Sequence, residues 1–293
     1  MNTSNEVSRP QRLFRYFSPS YSQIFTDRKL WFAAASDFND IFEVYPRYDK
    51  LVPELLQKVL MREYAFLPLN VNMSYQDFRC HTKKLADRIA AECMEEYPEI
   101  LQSKFGQYYG IVCFSEHMDS LLMWGHYTES HRGFVVEFDP EHTLFSPRDF
   151  GKVVYQTSRP ILTMDADSQM LLRKSPEWAY EDEHRLVKPR SELTSGVYIR
   201  NGVECQGHYL PLPIDAIKAV YFGCKMSEAQ REDLLKALQQ YPHVKLFFMK
   251  RHHTEYKLDA IPWSEWKPTS RSAQDILNIP WPVALPRVAD KRV

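Results

Sequence analysis

The sequence predicts an α+β fold: a mixed or antiparallel β core with a helical insertion and a C-terminal β-α-β element. Three observations point there. Apolar runs of strand length occur near both ends of the chain, a long stretch between them has helical spacing, and no regular alternation of strand and helix marks a doubly wound sheet. At 293 residues the chain can bury a large core, and its apolar (44%) and charged (26%) fractions are those of a globular protein.

Met1–Gln11 is polar and reads as a frayed end. Leu13–Ser18 (LFRYFS) reads as a first strand closed by Pro19, Ser20–Arg28 as a short helix, and Lys29–Ala34 as a second strand leading into the polar turn 36–40. Pro53–Tyr64 and Tyr75–Phe105 have helical spacing, with Leu85, Ile89 and Cys93 forming a buried stripe. Together they make an insertion over about residues 50–105. Ile111–Ser115 reads as a strand, and Asp119 is placed to cap a helix over Ser120–Glu129. Gly133–Phe138, Lys152–Tyr155, Glu183–Lys188, Val197–Arg200 and His208–Leu212 follow as strands. Ile217–Gly223, a helix opened by the capping box of Ser227 and Gln230, and Val244–Met249 form the closing β-α-β unit. The body therefore spans 1–261. Residues 262–293, with five prolines between Pro262 and Pro286 and three tryptophans, read as an arm packed on it.

Composition narrows function. The net charge of −1 gives no global field for nucleic acid or an anionic membrane, and no run of like charge demands a basic patch. No apolar run approaches the roughly 20 residues needed to cross a bilayer. Five cysteines with no close pair argue against a disulfide framework or zinc knuckle and suit a reducing cytoplasm. P-loop, dinucleotide-fingerprint, nucleophile-elbow and zincin motifs are absent, and no metal site is expected.

Three polar-aromatic clusters remain. Ser36–Glu43 gathers Ser36, Asn39 and Asp40 behind a strand, suited to a ligand hydroxyl or simply to an Asx-turn anchored by Phe38 and Phe42. In Cys113–Gly133, Trp124 and Tyr127 suit stacking on a flat ring with His126 as a hydrogen-bond partner. Core packing is the plainer role for Trp124, and Cys113 reads as a small buried hydrophobe. In Trp178–Arg185, a strand would put Glu181, Glu183 and Arg185 on one side and Asp182 and His184 on the other. An arginine-held carboxylate stays ionised, and a surface ion pair is the plainer reading.

Read together, LFRYFS, LWFAAASDFNDIFE, CFSE, LLMWGHYTESHRGFVVEFD and WAYEDEHRLV resemble a bacterial domain-of-unknown-function family that includes AbiGi-type abortive-infection proteins. The resemblance runs from about Leu13 to Gly223 and departs where Ile41 replaces a proline and Gly125 a serine. A fainter similarity to the ADP-ribosyltransferase layout implies NAD as co-substrate and a role in phage defence or as a toxin. It implies Arg15 or Tyr16 as the first-strand NAD ligand, Ser115 or Tyr127 as the middle group, Glu183 as the ribose-holding acid and Glu181 as the acceptor-selecting residue. Trp124, His126, Ser36, Asn39, Asp40 and Arg185 complete the expected site. The acceptor, protein or nucleic acid, stays open. Two rivals stand beside this expectation: a non-catalytic module binding a phage or host protein, and a metal-dependent nuclease with Asp40, Glu43 and Glu181 as ligands.

Overall fold

A computed structural model describes residues 9–46, 53–65, 73–92, 97–161, 170–200 and 203–267. The fold is α+β and mostly antiparallel. An eight-stranded sheet runs in the order β13-β12-β11-β4-β1-β3-β8-β5, from Leu258–Pro262 (β13), Lys245–Arg251 (β12), Ile217–Phe222 (β11) and Phe134–Phe138 (β4) to Leu13–Phe17 (β1), Tyr109–Ser115 (β3), Glu183–Pro189 (β8) and Phe150–Lys152 (β5). Within this sheet only β11 and β12 pair in parallel, joined by helix α6 (Glu228–Leu238) as the β-α-β reading expects. A second sheet contains Lys29–Phe32 (β2), Val203–Pro211 (β10) and Thr194–Arg200 (β9). A parallel pair joins Val154–Tyr155 (β6) to Arg173–Lys174 (β7).

Strand alternation decides which face each residue serves. Leu13, Phe17, Val112, Phe114, Phe134, Val136, Phe138, Leu186 and Phe222 meet Ile24 and Phe25 of α1 (Gln23–Asp27) and Leu234 and Leu238 of α6 in the main core. Each fully buried side chain of this size contributes about 1.5–3 kcal/mol relative to exposure. Phe14, Tyr16, Val135 and Tyr221 face the other way, against Met123 and Trp124 of α5 (Leu121–Tyr127). Ile111 and Cys113 on that side meet a smaller cluster containing Leu56 of α2 (Pro53–Ala65) and Ala86 of α3 (Tyr75–Glu92).

Several expectations are corrected. The single helix expected over Tyr75–Phe105 is two, α3 and α4 (Tyr97–Tyr108). Its buried positions are Thr82 and Ala86, with Leu85 and Ile89 half-buried; Cys93 lies outside the described residues. Ser120, not Asp119, caps α5: its hydroxyl accepts from the Met123 amide at 3.4 Å. The capping box of Ser227 and Gln230 forms as read. Strand β13 was not foreseen; it pairs residue by residue with β12 before the proline-rich stretch begins. Of that stretch, Trp263 packs on Phe222 and Trp266 on Phe248 with tilted rings, each at 4.8 Å between centroids, while 268–293 lie outside the described residues, as do residues 1–8.

Candidate active site

Strands β1 and β3 share one registered pair, Phe14↔Ser115. Beyond it β3 turns to bridge Ala33 after β2, through reciprocal Ala33–Ile111 backbone hydrogen bonds of 2.9 Å, and the sheet splits. A cavity of about 410 Å³ opens in this split, within the range of small-molecule sites. Its walls come from β1, β2, the turn after β2, β3, α5, β8 and β9, so segments far apart in sequence meet there.

The acidic wall is a continuous buried network. Arg185, fully buried, donates Nη1 and Nη2 to Glu43 at 2.5 and 2.9 Å, Nε and Nη2 to Glu183 at 2.8 and 3.1 Å, and Nη1 to the Leu171 carbonyl at 2.8 Å. Lys174 donates to Glu181 at 2.5 Å and Glu183 at 3.1 Å, and the Tyr127 hydroxyl donates to Glu181 at 2.5 Å. Three carboxylates thus surround two cations. Burial pulls the Glu183 carboxyl up, but Arg185 and Lys174 outweigh it and hold it down to about 2. Burial pushes Glu43 up even against Arg185. It would also lower Lys174, yet Glu183 and Glu181 raise it, so this ammonium stays charged. Burial and then the Glu181 charge push the Tyr127 hydroxyl up, keeping it a donor, and burial raises the Cys113 thiol, which suits its reading as an unreactive buried group.

Across the split stands Arg15. It alternates with Phe14 and Tyr16, and its guanidinium lies 5.2 Å from the Phe17 ring centroid. The residue as a whole is half-buried, but Nη1 is sealed from solvent and has no hydrogen-bond partner. Burial lowers its pKa, and no carboxylate opposes that shift. A guanidinium remains protonated at neutral pH, and among the described residues no carboxylate forms a salt bridge with this one. Trp31 and Tyr198, 4.9 Å apart between centroids, and Trp178, with Lys174 4.8 Å over its ring, supply aromatic wall.

Most of the expected residues meet here: Arg15, Tyr16, Asn39, Asp40, Ser115, His126, Tyr127, Glu181, Glu183 and Arg185 all line the cavity. Others fall elsewhere or are already engaged. Ser36 is exposed outside it. Trp124 is fully buried between Tyr16 and His131, with Nε1 donating to the Met118 carbonyl, so it takes the core-packing role and presents no stacking face. The Tyr16 hydroxyl donates to the His117 carbonyl, and the Ser115 hydroxyl accepts from the His117 amide. Asp40 forms the Asx-turn, accepting from the Phe42 amide at 2.9 Å. Phe42, however, is half exposed beneath Arg159 rather than an anchor, and Glu43 and Val44 are buried instead.

Glu181 does not lie on a strand. It ends the 3-10 helix Pro176–Glu181, and Asp182 turns the chain with φ 42° before β8, where Glu183 and Arg185 share a face. Of the expected nuclease ligands, Glu43 has both oxygens held by Arg185 and Asp40 accepts from the Phe42 amide, and the described residues hold no metal-binding cluster. Sequence reading missed Lys174, Trp31 and Tyr198. Lys174 sits in a two-residue strand outside every motif; alternation along β2 was the one signal for Trp31, whose partly exposed ring faces away from buried Leu30 and Phe32.

No protein-family model matches the chain, and no match emerges among curated proteins or solved structures. No helix among the described residues is long and apolar enough to cross a membrane.

Proposed function

We propose that this chain is an ADP-ribosyltransferase-like enzyme that takes NAD into the split between β1 and β3. The observation that carries the reading is one cavity shared by an unpartnered, buried guanidinium nitrogen, Arg15 Nη1, and a fixed carboxylate, Glu181. A ligand that relieves both must carry an anion and, at a distance, hydroxyls or positive charge. A pyridine dinucleotide carries a pyrophosphate for Arg15, a ribose for the carboxylate, and flat rings for Trp31, Tyr198 and Trp178.

The chemistry assigns different work to the two acids. Glu183 already accepts from Arg185 Nε, Arg185 Nη2 and Lys174, so it serves to position the neighbouring groups. Glu181 accepts from Tyr127 and Lys174 alone and keeps acceptor capacity on each oxygen. Departure of nicotinamide with the bonding electron pair leaves positive charge on the ribose carbon and ring oxygen; a carboxylate fixed in advance stabilises that charge without reorganising. Attack by the acceptor then forms the new bond, and its proton passes to solvent or to a base of the acceptor.

The test combines NAD consumption, label transfer to bacterial lysate and the thermal shift given by NAD. Wild type should show all three; Glu181→Gln should lose about 10²–10³-fold in turnover while keeping the thermal shift. A folded wild type that neither binds nor consumes NAD overturns the proposal. Because Lys174 and Arg185 already neutralise much of the acidic wall, a pocket that holds its ligand without turnover is the second reading. It predicts a thermal shift with no nicotinamide release.

A further inference from the structure

We propose that the β12–β13 hairpin and the loop after α5 form a docking surface for single-stranded nucleic acid. The surface is built around a second concavity, about 480 Å³, lined by His131, Cys224, Lys225, Arg251, His252, His253, Tyr256 and Lys257 among others. The cations arrive from separate places. Lys225 follows β11, Arg251 ends β12, and Lys257 precedes β13. No linear run of like charge reveals them, which is why the near-neutral sequence gave no hint. Among the described residues neither Lys225 nor Arg251 enters a salt bridge, whereas Lys257 pairs at 2.9 Å with Glu255, an acid that also lines the concavity. Lys225 and Arg251 both line the concavity beside Cys224, so their charges converge on one recess.

Two features beyond charge mark the place as built for a ligand. Glu129, Ser130 and His131 are consecutive non-glycine residues at φ 51°, 58° and 69°. Left-handed backbone of this kind costs about 1–2 kcal/mol per residue and persists where its surroundings enforce it. The strain carries the His131 carbonyl to the Lys225 amide at 3.0 Å and stacks the His131 ring on Trp124, leaving Nδ1 buried with no hydrogen-bond partner. His252 Nδ1 accepts from the amides of Thr254 and Glu255, which puts its proton on Nε2 as a donor. Beside these donors Tyr256 is fully exposed, an aromatic ring with no protein neighbour to cover it.

Converging unpaired cations suit phosphates, and a bare aromatic suits an unpaired base, which a duplex does not offer. The two concavities share no lining residue, and the surface does not depend on the enzymatic reading.

Fluorescence anisotropy with a dye-labelled oligouridylate tests it. Binding should weaken with salt, with a log–log slope of about 1.4 in magnitude for two phosphate contacts. Lys225→Glu combined with Arg251→Glu should lower affinity at least about tenfold and flatten the slope. Tyr256→Ala should weaken binding about tenfold and leave the slope unchanged. Because Tyr256 is fully exposed, that variant keeps the test valid if the charge reversals disturb folding. No binding at low salt, affinity indifferent to all three substitutions, or equal binding to anionic phospholipid vesicles overturns the proposal.

Discussion

Arg185 grips Glu43 with two parallel hydrogen bonds, Nη1 to Oε1 and Nη2 to Oε2, while its Nε reaches Glu183 two residues back on the same strand. One fully buried guanidinium therefore ties the turn after β2 to β8. Removing it leaves buried Glu43 without its cation and Glu183 with Lys174 alone, and breaking a buried pair from one side is strongly destabilising. Arg185→Met should lower stability by about 3–5 kcal/mol in urea denaturation. Arg185→Lys should recover little, because an ammonium cannot serve both acids in this planar geometry.

Acid sensitivity follows from Glu183. Its carboxyl titrates at about 2 in the folded chain, against about 4.3 for an unperturbed glutamate. The unfolded chain thus binds more protons through this window, so stability present above about pH 5 should fall as pH drops toward 2. Glu43 works in the opposite sense, since burial raises its pKa and protonation relieves it. Thermal melts between pH 6 and pH 3 should show the decline in wild type. Glu183→Gln should flatten it, and Glu43→Gln should not.

Arg15 makes a contrary prediction. Its buried, unpartnered Nη1 is a burden on the ligand-free fold. Arg15→Met should raise the stability of the free protein by about 1–2 kcal/mol, since a buried donor without a partner is removed. The same substitution should abolish the thermal shift given by NAD. Loss of stability with the shift retained would refute the anion-holding role.

Gly133 lies where β4 leaves the strained loop. A side chain there would place Cβ 1.9 Å from the Phe17 carbonyl oxygen, a backbone atom at the end of β1 that has no room to yield. Gly133→Ala should therefore destabilise by about 1–3 kcal/mol or more, measured by urea denaturation.

The α+β class was legible because the strands of the central sheet are short apolar runs and the helices between β2 and β3 have a different period. Arg15, Asp40, Tyr127 and Glu181 line one cavity, which no local pattern in the sequence encodes, since they come from four separate elements. Arg185 shows the limit most plainly: a charged residue beside two acids suggests a surface pair, yet Glu43, far upstream, makes complete burial tolerable. Strand β13 was missed because LDAIP lacks alternation and ends on a proline, acceptable at the edge where it pairs on one side only. The cap of α5 was misplaced by one position because Asp119 and Ser120 are both good caps and composition alone cannot separate them.

The lone rung between Phe14 and Ser115 has a consequence for how this architecture can diversify. A sheet zipped along its whole length resists any change in strand spacing, because every ladder bond must be remade. Where two neighbours touch once and then part, the aperture between them can widen or narrow by changing the residues that prop it open, with the hydrophobic layers on either side left as they are. Cavity width is therefore an adjustable property of this scaffold, separate from the stability of its core.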